Sequence, residues 1–220
     1  MNTRNRGLNL ELEKKHRNGT EYSLGAISTD IARIPLEERE ECNPTGERQN
    51  IGEEKSTCAT MAPINRIERK MNWLIEKKKL TFGNLEWLHR TGYIENNKFV
   101  SSDRFIAILS GTTRQGNSLK APLDAIRKNG LIPKKLLPQV ESFDAYYNPA
   151  SITDTMKEIG QEFLKRFIIN YEIVYRKDFK KVAENDGFIT GLYAWPEPTD
   201  GYYPAVHNFT PNHAVDIWKP

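Results

Sequence analysis

The middle of the chain carries apolar residues at the three- and four-residue spacing of an amphipathic helix. The clearest stripe contains Met61, Ile64, Ile67, Met71, Leu74 and Ile75. A helix with this spacing turns one side towards a core, so the pattern predicts a long helix beginning near Cys58. Three more helices are predicted by apolar spacing and capping residues, in SSDRFIAILSG, in PLDAIRKNG and from about Thr153 to Asn170.

The pattern changes after residue 170. The stretches EIVYR, GFITGLYAW and HAVDIW are short, rich in β-branched and aromatic residues, and bounded by turn-forming residues, which is typical of strands. Helices followed by strands predict an α+β protein with a helical lobe at about 56–170 and a β lobe at about 171–220. Residues 1–40 lack a strong apolar stripe. We interpret residues 1–45 as a loose extension followed by a docked segment, and residues 46–220 as one folded domain.

Composition narrows the classes of function. The chain has 220 residues, with 32 Lys and Arg interleaved among 29 Asp and Glu, so it lacks the concentrated basic face expected of a nucleic-acid groove. No apolar run is long enough for a membrane helix, and the N-terminus lacks the apolar core of a signal peptide. We therefore expect a cytoplasmic protein, with association with a virion as the alternative. Cys42 and Cys58 have no metal-site spacing, so neither a metal nor a disulfide is expected.

Cys58 lies in EEKSTCATMAP, where the long helix is predicted to begin. At a helix start, unpaired backbone N–H groups and the helix dipole stabilise an anion, which lowers the pKa of a thiol. Cys58 is therefore a candidate nucleophile. The alternative is a small buried hydrophobe, because free cysteine is among the residues most often buried. The position by itself leaves both interpretations open.

A thiolate that carries out acyl transfer also needs a base. Two of the four histidines, His16 and His89, lie in polar stretches and are interpreted as surface residues. His213 opens the apolar stretch HAVDIW after the turn-forming Pro211 and Asn212. A histidine at that point can project from a strand into a cleft, or it can simply end the strand.

Taken together, several stretches resemble the papain-like cysteine peptidases. The residues STCAT around Cys58 are similar to the family's nucleophile motif, and HAV at His213 is similar to its histidine motif, 155 residues later. The region FVSSDRFIAILSGTTRQGNSLKAPLDAIRKNGLIP is similar to the family's stretch after the nucleophile helix. KKVAENDGFITGLYAW is similar to the stretch before the histidine. The resemblance covers about residues 42–218, in the family's order.

The resemblance implies that residues 46–220 form a catalytic domain with a papain-like two-lobed fold, in which the helical lobe carries a central nucleophile helix and the other lobe is an antiparallel sheet. It implies a peptide or protein substrate, held in the cleft between the lobes, and no cofactor. Cys58 and His213 would be catalytic, and Gln49 would complete the oxyanion hole. Gly116 and Asn117 would offer backbone contacts to the substrate, although each can also serve only to build a turn.

The sequence also departs from the family. Gln49 lies three positions further from Cys58 than is usual, which implies a loop insertion. The family's asparagine that orients the histidine has no counterpart, because strand alternation points Asp216 away from His213 and the neighbouring Asn212 diverges as well. Either the chain stops short of a longer protein, or it is a shortened relative with weak or no activity. The first explanation is favoured, since the β-rich end looks unfinished.

These observations predict a cysteine peptidase that works through an acyl-enzyme thioester. Two alternatives come from other classes: a non-catalytic papain-like binding module, and a Cys–His acyl transferase of the transglutaminase type. Residues 1–45 could also act as a propeptide that crosses the cleft. The simpler interpretation, a tail and an edge segment, is preferred because these residues carry no helical stripe.

Overall fold

Helices dominate the computed structural model of the chain, which describes residues 8–9, 11–12, 21–24, 33–46, 50–185, 187–192 and 212–218. Its α-helices are α1 (Cys58–Glu76), α2 (Phe82–Thr91), α3 (Asp103–Leu109), α4 (Lys120–Asn129), α5 (Phe143–Tyr146), α6 (Asp154–Arg166) and α7 (Phe179–Asn185). Short 3-10 helices occupy Leu36–Glu38, Lys134–Leu136, Pro149–Ser151 and Arg176–Asp178. None of the helices in these ranges has the length and apolar character needed to cross a lipid bilayer.

α1 is the central helix of the main core. It begins at the predicted residue, and Ile64, Ile67 and Met71 of the predicted stripe are buried. They share one apolar cluster with Phe105 of α3 and Leu123 of α4. Burying a side chain of this size stabilises the folded state by about 1.5–3 kcal/mol, so the stripe is enough to seat α1 among the other helices.

The other predicted helices begin and end at recognisable signals. Ser102 caps α3 by accepting a hydrogen bond from the N–H of Phe105, and Thr153 caps α6 in the same way. α6 ends at Arg166, earlier than predicted, because Phe167 has left the helical conformation. Gly130 ends α4 with a φ of 72°, and a Cβ there would lie 1.9 Å from the carbonyl oxygen of Gly160. The α4 terminus and α6 therefore touch backbone to backbone.

The strands form a four-stranded antiparallel sheet and a separate hairpin. The sheet order is β4 (Tyr171–Val174), β1 (Glu21–Leu24), β5 (Phe188–Leu192) and β6 (His213–Ile217). The hairpin consists of β2 (Ile94–Glu95) and β3 (Lys98–Phe99). The α+β class is therefore confirmed.

The N-terminal strand differs from the sequence-based expectation of an edge segment. β1 lies inside the sheet, where Glu21 pairs with Val174 of β4 and Tyr22 pairs with Ile189 of β5. An interior strand satisfies backbone hydrogen bonds on both sides. The part of the chain assigned to an N-terminal extension thus supplies a strand to the same sheet as the C-terminal residues.

Arg39 ties the N-terminal segment to the sheet. Its side chain is buried, at 1% exposure, and its guanidinium donates to backbone carbonyls at 2.7–3.1 Å. The carbonyls belong to Ile34, to Ala183 and Glu184 at the end of α7, and to Trp218 after β6. A cation at the carboxyl end of a helix meets the negative end of its dipole, so Arg39 joins three separate segments at one point.

Candidate active site

Cys58 is the first residue of α1, as the sequence predicted. No side-chain cap covers this end of the helix: Thr57 makes no capping hydrogen bond through its side chain. Its carbonyl accepts the N–H groups of Thr60 and Met61, both at 2.8 Å. The sulfur itself is buried, at 3% residue exposure, and belongs to the main apolar cluster.

The first residues of β6 reach this buried sulfur. The N–H of Ala214 donates to Cys58 Sγ at 3.3 Å, across 156 positions of sequence. His213 is the preceding residue, half-buried at the start of β6 and paired in register with Leu192. The structure therefore brings the start of β6, where His213 lies, to Cys58 at the first turn of α1.

The surroundings of Cys58 favour the thiol. Burial raises the pKa of Cys58 to about 12, and the negative charge of Glu54 acts in the same direction. Hydrogen bonds from the N–H groups of Ala214, Ala59 and Cys58 itself favour the thiolate but do not outweigh burial. At neutral pH this conformation therefore holds a protonated, protected sulfur.

The loop before Cys58 is fixed by a buried lysine. Lys55 has 2% exposure, and its ammonium donates to the carbonyls of Ile51 at 2.8 Å, Glu53 at 2.6 Å, and Glu141. The carbonyl of Lys55 accepts a hydrogen bond from the hydroxyl of Tyr147 at 2.6 Å. An ammonium whose donors all meet carbonyl oxygens satisfies the requirement for a buried charge, so the approach to α1 is rigid.

Ser56 carries the chain from this loop into the helix with a φ of 55°, a left-handed value that is uncommon for a residue other than glycine. Its N–H donates to Glu54 Oε1 at 2.8 Å, and its hydroxyl donates to the carbonyl of Arg114 at 3.1 Å. The second bond connects the loop before Cys58 to the turn that contains the predicted substrate-binding residues.

That turn runs from Thr113 to Gly116, and Gly116 adopts a φ of 84°. The side chain of Asn117 is buried and donates to Ser110 and Thr112 at 3.0–3.1 Å. Both predicted substrate-binding residues therefore build the turn. The backbone carbonyl of Asn117 accepts a hydrogen bond from another segment of the chain.

An N-terminal segment occupies that backbone position. The N–H of Asn9 donates to the carbonyl of Asn117 at 2.7 Å, and Leu8 forms a parallel bridge with Asn117. Leu8 is buried in the main core, at 3% exposure. An extended segment of the chain thus lies on the residues that were predicted to line the cleft.

Two further predictions concern the oxyanion and the group that orients the histidine. Gln49, the predicted oxyanion residue, lies outside the described residues. The carboxylate of Asp216 is bound by Arg66 at 3.2 Å and by Arg69. It therefore lies against α1.

Several residues of the site were not singled out from the sequence. In the sequence, Lys55 is one charged residue in the polar run EEKS, and Tyr147 is one aromatic residue in a turn-forming stretch. The signal that distinguishes them is their partners, which are backbone carbonyls supplied by distant residues. No pattern of side chains along the sequence reports such partners.

The chain was compared with family models, with curated proteins and with solved structures, and nothing matched in any of the three comparisons. Among the described residues, no group of three or more His, Cys, Asp or Glu side chains could hold a metal ion.

Proposed function

We propose that the protein is a papain-like cysteine peptidase in which Cys58 is the nucleophile and His213 is the base. One observation carries the proposal: the backbone nitrogen of Ala214, the residue after His213, lies 3.3 Å from the Cys58 sulfur. The position of Cys58 at the uncapped start of a long helix supports it further. In this proposal the helices at 58–166 form one lobe and the antiparallel sheet forms the other.

Hydrolysis would proceed through two acyl-transfer steps. His213 takes the proton of Cys58, and the resulting thiolate attacks the carbonyl carbon of the substrate peptide bond. The N–H of Cys58 and, by resemblance, the amide of Gln49 hold the oxyanion. Protonated His213 then gives its proton to the leaving amine as the C–N bond breaks, which leaves a thioester. Water, deprotonated by His213, attacks the thioester and releases the acid and the thiol.

The raised pKa of Cys58 limits how the thiolate can form. Since burial raises that pKa to about 12, only a small fraction of the sulfur ionises alone at neutral pH. Transfer of the proton to His213 places an imidazolium beside the thiolate, and an adjacent opposite charge lowers a thiol pKa. The nucleophile is therefore the ion pair of Cys58 with His213.

An extended peptide is the substrate that suits the turn next to Cys58. The carbonyl of Asn117 already accepts a main-chain N–H, from Asn9 at 2.7 Å. A substrate backbone could make the same hydrogen bond once residues 8 and 9 leave, because main-chain pairing does not depend on side-chain identity. The N-terminal segment would then compete with the substrate.

A thiol-directed peptide electrophile tests the proposal. We expect it to modify Cys58 in the unaltered protein, and we expect Cys58→Ala to lose both this labelling and peptide cleavage. Cys42→Ala is the matched control, because Cys42 is also a free, buried cysteine, and it should retain both. If the unaltered protein shows neither labelling nor cleavage under reducing conditions, the peptidase proposal is wrong.

A second function is favoured by the burial of Cys58. A sulfur with 3% residue exposure and a raised pKa is what a papain-like binding module without catalysis would contain. Iodoacetamide reactivity measured against pH separates the two functions. A peptidase should show a reactive thiolate below the ordinary cysteine pKa of about 8.5, whereas the binding module should show reactivity rising only above it.

A further inference from the structure

The helix that carries Cys58 and the strand that begins with His213 are joined at two places. The first is the hydrogen bond from Ala214 to the sulfur. The second lies further along both elements, where Asp216 binds Arg66 and Arg69 of α1. Two points of attachment fix both the distance and the angle between the elements, which a single point cannot do.

All three charged groups of the second attachment are buried. Side-chain exposure is 5% for Arg66, 7% for Arg69 and 6% for Asp216. The guanidinium of Arg69 also lies 5.1 Å above the ring of Trp218, and its Nε donates to Asn43 at 3.0 Å. A carboxylate held by two guanidinium groups in a water-poor environment has few alternative geometries, so this attachment is rigid.

The sequence spacing puts both attachments on one side of α1. Cys58, Ala62, Arg66 and Arg69 follow one another at intervals of four, four and three residues, which places them on one face of a helix. Gly187 completes the fit, because a Cβ there would lie 2.8 Å from Arg66 Nη1 and 2.0 Å from the carbonyl of Ile217.

Among the described residues, the sheet holds β6 along one edge. In the described sheet, β6 is the last strand and pairs only with β5. Its residues Ala214 and Asp216 contact α1. We propose that Asp216 is a positioning residue that, through Arg66 and Arg69, holds the start of β6 against Cys58. Its effect on catalysis rests on the proposed function, whereas its effect on the protection of the Cys58 sulfur does not.

The test replaces Asp216 with asparagine, which keeps the shape and removes the charge. Because burial is the largest cause of the raised pKa of Cys58, releasing β6 should expose the sulfur. We expect iodoacetamide to alkylate Cys58 about tenfold faster at about pH 8 in Asp216→Asn, as judged by mass spectrometry of the peptide that contains it. Peptide turnover should fall about tenfold in kcat, with a smaller change in KM.

Glu68→Gln is the matched control, since Glu68 lies on α1 between the two arginines and is also buried. Its carboxylate accepts from the N–H and hydroxyl of Ser101 at 2.7 and 2.9 Å, away from β6. The control should lower the thermal midpoint of unfolding and leave alkylation of Cys58 within about twofold. Equal acceleration in both variants would mean general loosening and would overturn the proposal.

If Asp216→Asn does not fold, a milder variant tests the same positioning role. Arg69→Gln removes one cation while Arg66 still binds the carboxylate, and alkylation of Cys58 should rise about threefold. Unchanged alkylation in the folded variants would overturn the positioning role. Faster alkylation without any peptidase activity in the unaltered protein would instead keep the positioning role and reject the proposed function.

Discussion

The aromatic cluster of the helical region and the charged contacts of the sheet are two different kinds of interaction. In the helical region, Trp87, Tyr93 and Phe99 surround Phe163 with ring centroids 5.5–6.5 Å away. At the sheet, buried charges such as Arg39 and Asp216 make the connections. Apolar packing tolerates small shifts, whereas hydrogen-bonded charges demand a defined geometry. The geometry on the side of the molecule that carries His213 therefore depends on a few charged side chains.

The helical region should lose the most stability when its aromatic cluster is opened. Phe163 is fully buried, so Phe163→Ala leaves a cavity and should lower the free energy of unfolding by about 4 kcal/mol. Urea denaturation measures the change. Phe82→Ala serves as the control, because Phe82 is 82% exposed and should cost less than about 0.5 kcal/mol.

The same variant tests the difference between the regions. Phe163→Ala should not alter alkylation of Cys58 under conditions where the protein is folded, since the cavity is lined by Trp87, Tyr93 and Phe99 and leaves the contact of β6 with Cys58 in place. A large acceleration would show that the two regions are not separable and would break the comparison.

The second largest loss of stability is expected in the sheet region, when Arg39 is replaced. Arg39→Met retains much of the side-chain volume but leaves the carbonyls of Ala183, Glu184 and Trp218 without their donor. The free energy of unfolding should fall by about 3 kcal/mol. Because Trp218 follows β6, alkylation of Cys58 should become faster in this variant. Lys165→Met, at a side chain with 73% exposure, should change neither quantity.

The helices could be predicted because their signals are local. The stripe of α1, the cap Ser102 and the stop at Gly130 all act within a few residues. α2 was missed, since its sequence FGNLEWLHRT is largely polar and only Trp87 and Leu88 of the helix are buried. β1 was misplaced for a different reason. Its four residues carry no pattern of their own and gain their place from strands about 150 positions away.

The candidate site was predictable in part. Cys58 and His213 could be selected because the sequence predicts the start of a helix at one and the start of a strand at the other. The structure brings these two elements together. The burial of the sulfur was not readable, because it depends on how β6 packs against α1. A propeptide ending near residue 45 now requires the loss of an interior strand and of Arg39, so only the residues before β1 could leave without disrupting the sheet.

The smallest predicted effect is the pH dependence of the stability that Cys58 contributes where the two regions meet. Burial raises the pKa of Cys58 to about 12, so the unfolded chain releases this proton first, from about pH 8.5, and the stability contributed by the thiol is lost as pH rises. The difference in unfolding free energy between the unaltered protein and Cys58→Ala should shrink by about 2 kcal/mol between about pH 7.5 and 10. Urea denaturation at a series of pH values measures it. If Cys58 instead rests as a thiolate with a lowered pKa, the unfolded chain holds the extra proton below about pH 8.5, so the difference should grow by about 1 kcal/mol over this range instead of shrinking. The measurement therefore also decides whether the sulfur at the junction of the two regions rests as a protected thiol or as an activated nucleophile.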